Sequence, residues 1–158
     1  MITYFASKSR HWQFVAALSA AGAPICCSWP AWTPNRTDSE AADHEWAEHS
    51  ERCLREAAES DVLVLYAEEP EQHFGALLEC GAALGAGKQV FLVSPHPWPF
   101  LRNHPRVRSF DSIAEAVRSI CALRDGERAR DEAERSSATV IPIKEKPRRV
   151  RPEQKESA

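Results

Sequence analysis

Two apolar, β-branched runs on either side of a helix of small residues constrain this chain more than any other feature. The runs are Asp61-Val62-Leu63-Val64-Leu65-Tyr66 and Gln89-Val90-Phe91-Leu92-Val93-Ser94. Between them lies Phe74-Gly75-Ala76-Leu77-Leu78-Glu79-Cys80-Gly81-Ala82-Ala83-Leu84-Gly85-Ala86-Gly87-Lys88. This order reads as strand, loop, helix, strand. A helix so rich in Gly and Ala packs close to a sheet or lets a ligand approach its backbone. Glu79 is the only carboxylate in it. A single acid in such company serves packing poorly and suits chemistry.

The same alternation runs through the rest of the chain. Thr3 to Ala6 is a strand, and His11 to Leu18 carries apolar residues at helical spacing with Gly22 as a stop. Pro24-Ile25-Cys26-Cys27-Ser28-Trp29 is a second short strand. Trp29 to Ala42 reads as a long loop, and Asp43 to Glu59 as an amphipathic helix with Trp46, Cys53, Leu54 and Ala57 inward. Ser94 to Pro105 is a proline-rich loop, Val107 to Phe110 a last strand, and Ile113 to Leu123 a final helix capped by Asp111 or Ser112. This predicts an α/β fold, a doubly wound (Rossmann- or flavodoxin-like) five-stranded parallel sheet of order 2-1-3-4-5 with helices on both faces. A ligand crevice then lies at the carboxyl ends of the first and third strands, among Ala6 to His11, the Trp29 to Ala42 loop and Ala67 to Glu79.

Composition narrows the class. With 158 residues, 43% hydrophobic, the chain suits one domain with a real core, and a net charge of -3 gives no global field for nucleic acid. No run is long enough to span a membrane, and Met1 to Ala6 reads as a buried strand rather than a leader. The five cysteines lack C-x-x-C spacing and the six histidines lack H-E-x-x-H, so buried thiols, a reducing cytoplasm, no metal and no cofactor are expected. After Arg124 the chain turns charged and proline-containing. Residues 1–124 are therefore expected to form the domain and 125–158 a disordered tail, with only Val140-Ile141-Pro142-Ile143 able to dock and Lys144 to Arg151 solvated.

Three segments together resemble one family. Thr3-Tyr4-Phe5-Ala6-Ser7 resembles the aromatic-rich first strand of the nucleoside 2-deoxyribosyltransferases, and the strand at Asp61-Val62 resembles the one before their catalytic helix. Gly75-x-x-x-Glu79-x-Gly81-x-Ala83-x-x-x-Gly87-Lys88 is similar to their signature, which the 2'-deoxynucleoside 5'-phosphate N-hydrolases share. The resemblance covers about the first 120 residues. It implies that Glu79 is the nucleophile at the anomeric carbon, that Tyr4 orients it, and that the sugar passes to a second base or to water. It also implies a nucleoside or nucleotide as the small-molecule partner, and assembly into homo-oligomers. Many transferases carry an Asp six residues before the nucleophile, where this chain has His73.

The residues themselves allow that chemistry. A carboxylate beneath an anomeric carbon stabilises an oxocarbenium-like transition state and can form a covalent ester. A helix N-terminus is expected to keep Glu79 ionised, Gly75 to leave room for the sugar, Gly81 to let the helix approach the sheet, and Tyr4 to stand at a strand's carboxyl end. His73 could protonate a leaving base or be a loop residue, with Glu68, Glu69 and Glu71 nearby. Ser7, Lys8, Ser9 and Arg10 could hold a phosphate or simply cap a helix. Trp29 and Trp32 could stack on a base or plug the domain edge. Two functions follow: an N-glycosidic-bond transferase or hydrolase, or a non-catalytic nucleotide-binding or interaction module on the same fold. A TIR-like NAD glycohydrolase also uses a helix-borne Glu, but the G-x-x-x-E-x-G-x-A spacing fits it less well.

Overall fold

The computed structural model describes residues 1–32, 42–68 and 73–138, with side chains to residue 135. In chain order the elements are β1 (Thr3–Ala6), a 3-10 turn (Ser9–His11), α1 (Trp12–Ala20), α2 (Trp29–Trp32), α3 (Asp43–Glu59) and β2 (Val62–Tyr66). They continue with α4 (Phe74–Gly85), β3 (Gln89–Val93), α5 (Pro99–Arg102), β4 (Val107–Phe110) and α6 (Ile113–Ala138). The strands form one parallel sheet in the order β1-β2-β3-β4, with Tyr4 beside Leu63 and Leu63 beside Val90.

β1 is buried along its whole length, as are the first four residues of β2 and the last four of β3. Strands covered on both faces need apolar residues at every position, which is why these runs do not alternate. Phe5 meets Phe14 of α1 edge-on at 6.2 Å, while the neighbouring Tyr4 turns to the opposite face, toward α3 and α4. The third and fourth strands of the layer end at β4, an edge whose central Arg108 and Ser109 are exposed. The Arg108 guanidinium lies over the Phe91 and Phe110 rings, so the open edge carries a charge.

Among the described residues the sheet has four strands, not the expected five. The expected second strand, Pro24 to Trp29, forms a single parallel bridge, Thr3 to Ile25, on the free edge of β1. It starts as a strand should: Thr3 N donates to Pro24 O at 2.8 Å and Cys26 N to Thr3 O at 2.9 Å. It then leaves the ladder. Ser28 N turns to the Glu56 carboxylate at 2.9 Å, and the Phe5 carbonyl, next on the same edge, accepts the Trp29 indole N–H at 2.7 Å. A side chain thus takes the hydrogen bond that a further strand residue would have made. Pro24 and Pro30 bracket the segment and limit its length.

Two other boundaries differ from expectation. Trp29–Trp32 is a short helix, and residues 33–41 lie outside the described part. α6 does not stop at Leu123 but continues to Ala138. Its exposed residues 125–135 are mostly Glu, Arg and Ala, which are strong helix formers, and its middle is tied back by Arg124 to Gly22 O and by Glu127 to the Met1 amino group at 3.3 Å. Residues 139–158, with Val140 to Ile143 and Lys144 to Arg151, lie outside the described part. No helix among the described residues is long and apolar enough to cross a membrane.

The α4 glycines do not play the part expected of them. Gly81 is exposed, and a Cβ added there would meet nothing within 4 Å. Ala76, Cys80 and Ala83 make the close approach to the sheet. Only Gly87 is needed for its backbone: with φ +77 it closes the helix, as Lys88 N reaches Ala83 O and Gly87 N reaches Leu84 O. Gly81→Ala is therefore expected to stabilise the protein by about 0.5–1 kcal/mol, the helix-propensity gain at an open site. Thermal unfolding checks this, and a fall in midpoint would mean that Gly81 does make a close contact.

Candidate active site

The candidate site is built where α4 crosses β1 and packs along α3. Tyr4 is fully buried at the second position of β1, so it sits within the sheet rather than at the strand's carboxyl end. Its hydroxyl makes no hydrogen bond of ordinary geometry among the described residues. Its polar neighbours are the Glu79 carboxyl from α4 and the Cys53 thiol from α3. Burial, then the nearby Glu79 charge, push the phenol far above its usual range, so Tyr4 is a neutral donor.

Glu79 is partly buried on the face of α4 that meets α3 and β1. Burial pushes its carboxyl up to about 7, the Tyr4 hydroxyl pulls it back, and the Glu56 charge adds to the rise. The expected rescue by the helix N-terminus does not occur. Glu79 is the sixth residue of α4, beyond the first turn within which the macrodipole acts. The result is a carboxylate poised to change charge near neutrality, as functional acids and bases often are.

Behind Cys53 stands an aromatic group of which the sequence marked only Trp32 as a site candidate. His49, one turn earlier on α3, places Nε2 3.6 Å from the Cys53 sulfur. Its ring stacks on Trp32 at 4.1 Å with 10° between planes, and Trp46 meets Trp32 edge-on at 4.5 Å. Burial and Arg52 lower the His49 pKa, which favours the neutral imidazole. The signal available was the i, i+4 spacing of His49 and Cys53 on the inner face of an amphipathic helix.

The remaining expected residues fall in separate places. Ser7 to Arg10 do not open a long helix; a three-residue turn follows Lys8. Ser7 Oγ donates to Tyr66 O at 3.0 Å and accepts from His11 Nδ1 at 2.6 Å, and Arg10 lies beside His11 and Glu68. Glu68 also accepts from the Tyr66 hydroxyl. This second polar centre caps the carboxyl ends of β1 and β2. Trp29 is buried and tied to β1, so it anchors the domain edge. Trp32 keeps a partly exposed face. His73 is buried at the N-cap of α4, where its carbonyl accepts Leu77 N at 2.8 Å. Gly75 is exposed with open space around it. Glu69 and Glu71 lie outside the described residues. No cluster of three metal-ligating side chains occurs among the described residues.

Neither a protein-family model nor a curated protein sequence matches the chain. Among solved structures it is similar to a CMP N-glycosidase from Clostridium botulinum, with 13% identity and a TM-score of 0.47, covering 77% of this chain and 99% of that one.

The raised Glu79 pKa has a stability consequence. A carboxyl with a native value near 7 against an ordinary 4.5 holds its proton longer in the native state, so stability falls as pH rises between those values. Glu79→Gln is expected to be more stable than the parent at pH 8, by up to about 3 kcal/mol, and equal to it below about pH 4. Denaturant unfolding at the two pH values measures this. Glu56→Gln is expected to move the Glu79 titration to lower pH while its amide oxygen still accepts Ser28 N; carbon NMR of labelled glutamate reads the shift.

Proposed function

We propose that this chain breaks the N-glycosidic bond of a nucleoside or nucleotide, with Glu79 attacking the anomeric carbon. The reading rests on one observation: a partly buried carboxyl poised near pH 7 lies beside a buried tyrosine hydroxyl that has no other strong acceptor among the described residues. In the first step a Glu79 oxygen bonds to the anomeric carbon as the bond to the base nitrogen breaks. The electron pair leaves with the base, which takes a proton, and a glycosyl ester remains on Glu79. In the second step water attacks the same carbon, loses a proton and frees the carboxylate. A second base in place of water makes the reaction a transfer.

The other residues take roles within this reading. Tyr4 donates to the carboxylate and fixes its direction. His73 is the candidate donor of the leaving-base proton. The open space at Gly75 receives the sugar, and the exposed face of Trp32 the base. Lys8, Ser9 and Arg10 are candidates for a 5'-phosphate. We extend the reading to self-association. Phe74 and Leu78 are exposed one turn apart on α4, and exposed Phe100 lines an adjoining apolar groove of about 410 Å³ with Leu77, Gly81 and Leu84. A non-catalytic nucleotide-binding module is the second reading.

The test is chromatographic detection of free base from nucleosides, deoxynucleosides and their 5'-phosphates, with and without an acceptor base. Release is expected, with kcat/KM rising through about pH 7 as Glu79 ionises. Glu79→Gln is expected to lower the rate by at least about a thousandfold, because the amide cannot form the ester. Tyr4→Phe should cost about 1.5–3 kcal/mol, the value of one hydrogen bond to a charged group. A Glu79→Gln rate equal to the parent's overturns the assignment. Nucleotide binding without base release selects the second reading.

A further inference from the structure

Ser7 follows the last residue of β1 and holds its hydroxyl oxygen 2.6 Å from Nδ1 of His11. The other nitrogen of that ring, Nε2, lies 3.3 Å from the Glu68 carboxylate. Hydroxyl, imidazole and carboxylate thus stand in series, the order of groups that activates a serine nucleophile on unrelated folds. Three segments build the series: the end of β1, the turn before α1 and the residues after β2. None of the three side chains has a part in the chemistry of Glu79.

The imidazole is fixed from two sides. Its ring lies 5.1 Å from that of Tyr66, and the Tyr66 hydroxyl donates to the Glu68 carboxylate. That donation holds the Glu68 carboxyl below its usual range, so the group stays a charged acceptor. When the ring is protonated, Nδ1–H donates to Ser7 Oγ and Nε2–H to Glu68, while the Ser7 hydroxyl donates to Tyr66 O at 3.0 Å. A neutral ring keeps one proton. The carboxylate holds the one on Nε2, so Nδ1 is bare and the Ser7 hydroxyl turns from Tyr66 O to donate to it. Arg10 Nε, 3.3 Å from Nε2, favours the other tautomer, but its guanidinium also reaches Glu68 at 3.7 Å and can donate there instead.

We propose that Ser7 and His11, positioned by Glu68, form a second catalytic centre that hydrolyses a small carboxylic ester bearing an aromatic or short aliphatic group. Ser7 Oγ bonds to the carbonyl carbon as its proton passes to His11 Nδ1, and the imidazolium is held against Glu68. The bond from that carbon to the alcohol oxygen then breaks. The alcohol leaves with the proton from Nδ1, and the acyl group stays on Ser7. Water attacks the same carbon and gives a proton to Nδ1. The bond to Ser7 Oγ breaks, Oγ takes that proton back, and the carboxylic acid departs. Arg10 is the cation beside the centre where negative charge develops on the carbonyl oxygen.

Room for such a substrate adjoins the centre. A cavity of about 640 Å³ opens at Tyr66 and Glu68 and is walled by Phe14, Val93 and Ile113, with Arg102 among its polar groups. The partly exposed Phe14 ring lies 6.3 Å from that of Tyr66, so one wall is aromatic. That volume suits a small molecule, and the apolar part of the ester lies there.

In the test, the full chain is treated with a fluorophosphonate, which bonds to an activated hydroxyl, and the modified residue is mapped by peptide mass spectrometry. Modification of Ser7 is expected, with the exposed Ser9 left unmodified as the internal control. His11→Gln is expected to slow it at least about a hundredfold, the lower worth of a general base. p-Nitrophenyl acetate is expected to be hydrolysed, with kcat/KM lower by at least about a hundredfold in Ser7→Ala and in His11→Gln. Glu68→Gln keeps an acceptor without the charge, and its rate should lie between those variants and the parent. Nitrogen NMR of the neutral His11 ring reads the tautomer without turnover and should place the proton on Nε2. A merely structural role for Ser7 predicts that Ser7→Ala lowers the unfolding temperature while ester turnover matches the parent. The modification needs no Ser7 variant, so a misfolded Ser7→Ala leaves the decision to the parent and His11→Gln. An unmodified Ser7, a modification rate indifferent to His11, or a neutral ring protonated on Nδ1 overturns the proposal. Neither probe contains an N-glycosidic bond, so the reading of Glu79 stands or falls separately.

Discussion

The burial of one phenol organises the candidate site. Tyr4 lies in a strand that is inaccessible along its whole length, and its backbone is satisfied by the parallel ladder to β2. Its hydroxyl is not part of that ladder and must find company among side chains. Among the described residues α4 packs against β1 on that face and α3 lies along α4, and the polar groups they bring there set the environment of Tyr4. They bring a carboxyl, a thiol and, at longer range, a second carboxylate. The small residues Ala76, Cys80 and Ala83 on α4 and Cys53 and Ala57 on α3 let both helices approach closely enough for those groups to interact.

The two faces of the sheet divide the polar work. On one face Tyr4, Glu79 and Cys53 are desolvated, and their protonation equilibria are moved far from ordinary values. Near the carboxyl ends of β1 and β2, Ser7, His11, Glu68, Tyr66 and Arg10 form a more exposed network, where the Tyr66 hydroxyl lowers the Glu68 pKa. Exposed ion pairs contribute little to stability. Their effect is to fix where the chain leaves each strand.

Much of the fold was legible from local pattern. The βαβ unit around Glu79, the parallel sheet and its coverage by helices follow from apolar runs separated by helical spacing. The pairing of Tyr4 with Glu79 was expected only from the family resemblance, since β1 lies outside the βαβ unit that carries Glu79. The errors have physical causes. The second strand was lost because an indole N–H, rather than a backbone N–H, reached the Phe5 carbonyl. The final helix ran on because helix propensity persists after an apolar face ends. Gly81 was assigned to the buried face because small residues on both faces of α4 blur its periodicity.

The sequence by itself determined the class of fold and the identity of the lone acid on a small-residue helix, since both depend on residue order and spacing. The tertiary structure alone decided the charge state of that acid and the company it keeps. Burial by a helix 20 or more residues away in sequence, together with the Glu56 charge and the Tyr4 hydroxyl, lifts Glu79 to about 7. No spacing rule reports desolvation, because it depends on every segment that closes over the group. For the same reason Cys53 and His49 are members of the site only because α3 lies along α4 and brings Cys53 beside Tyr4.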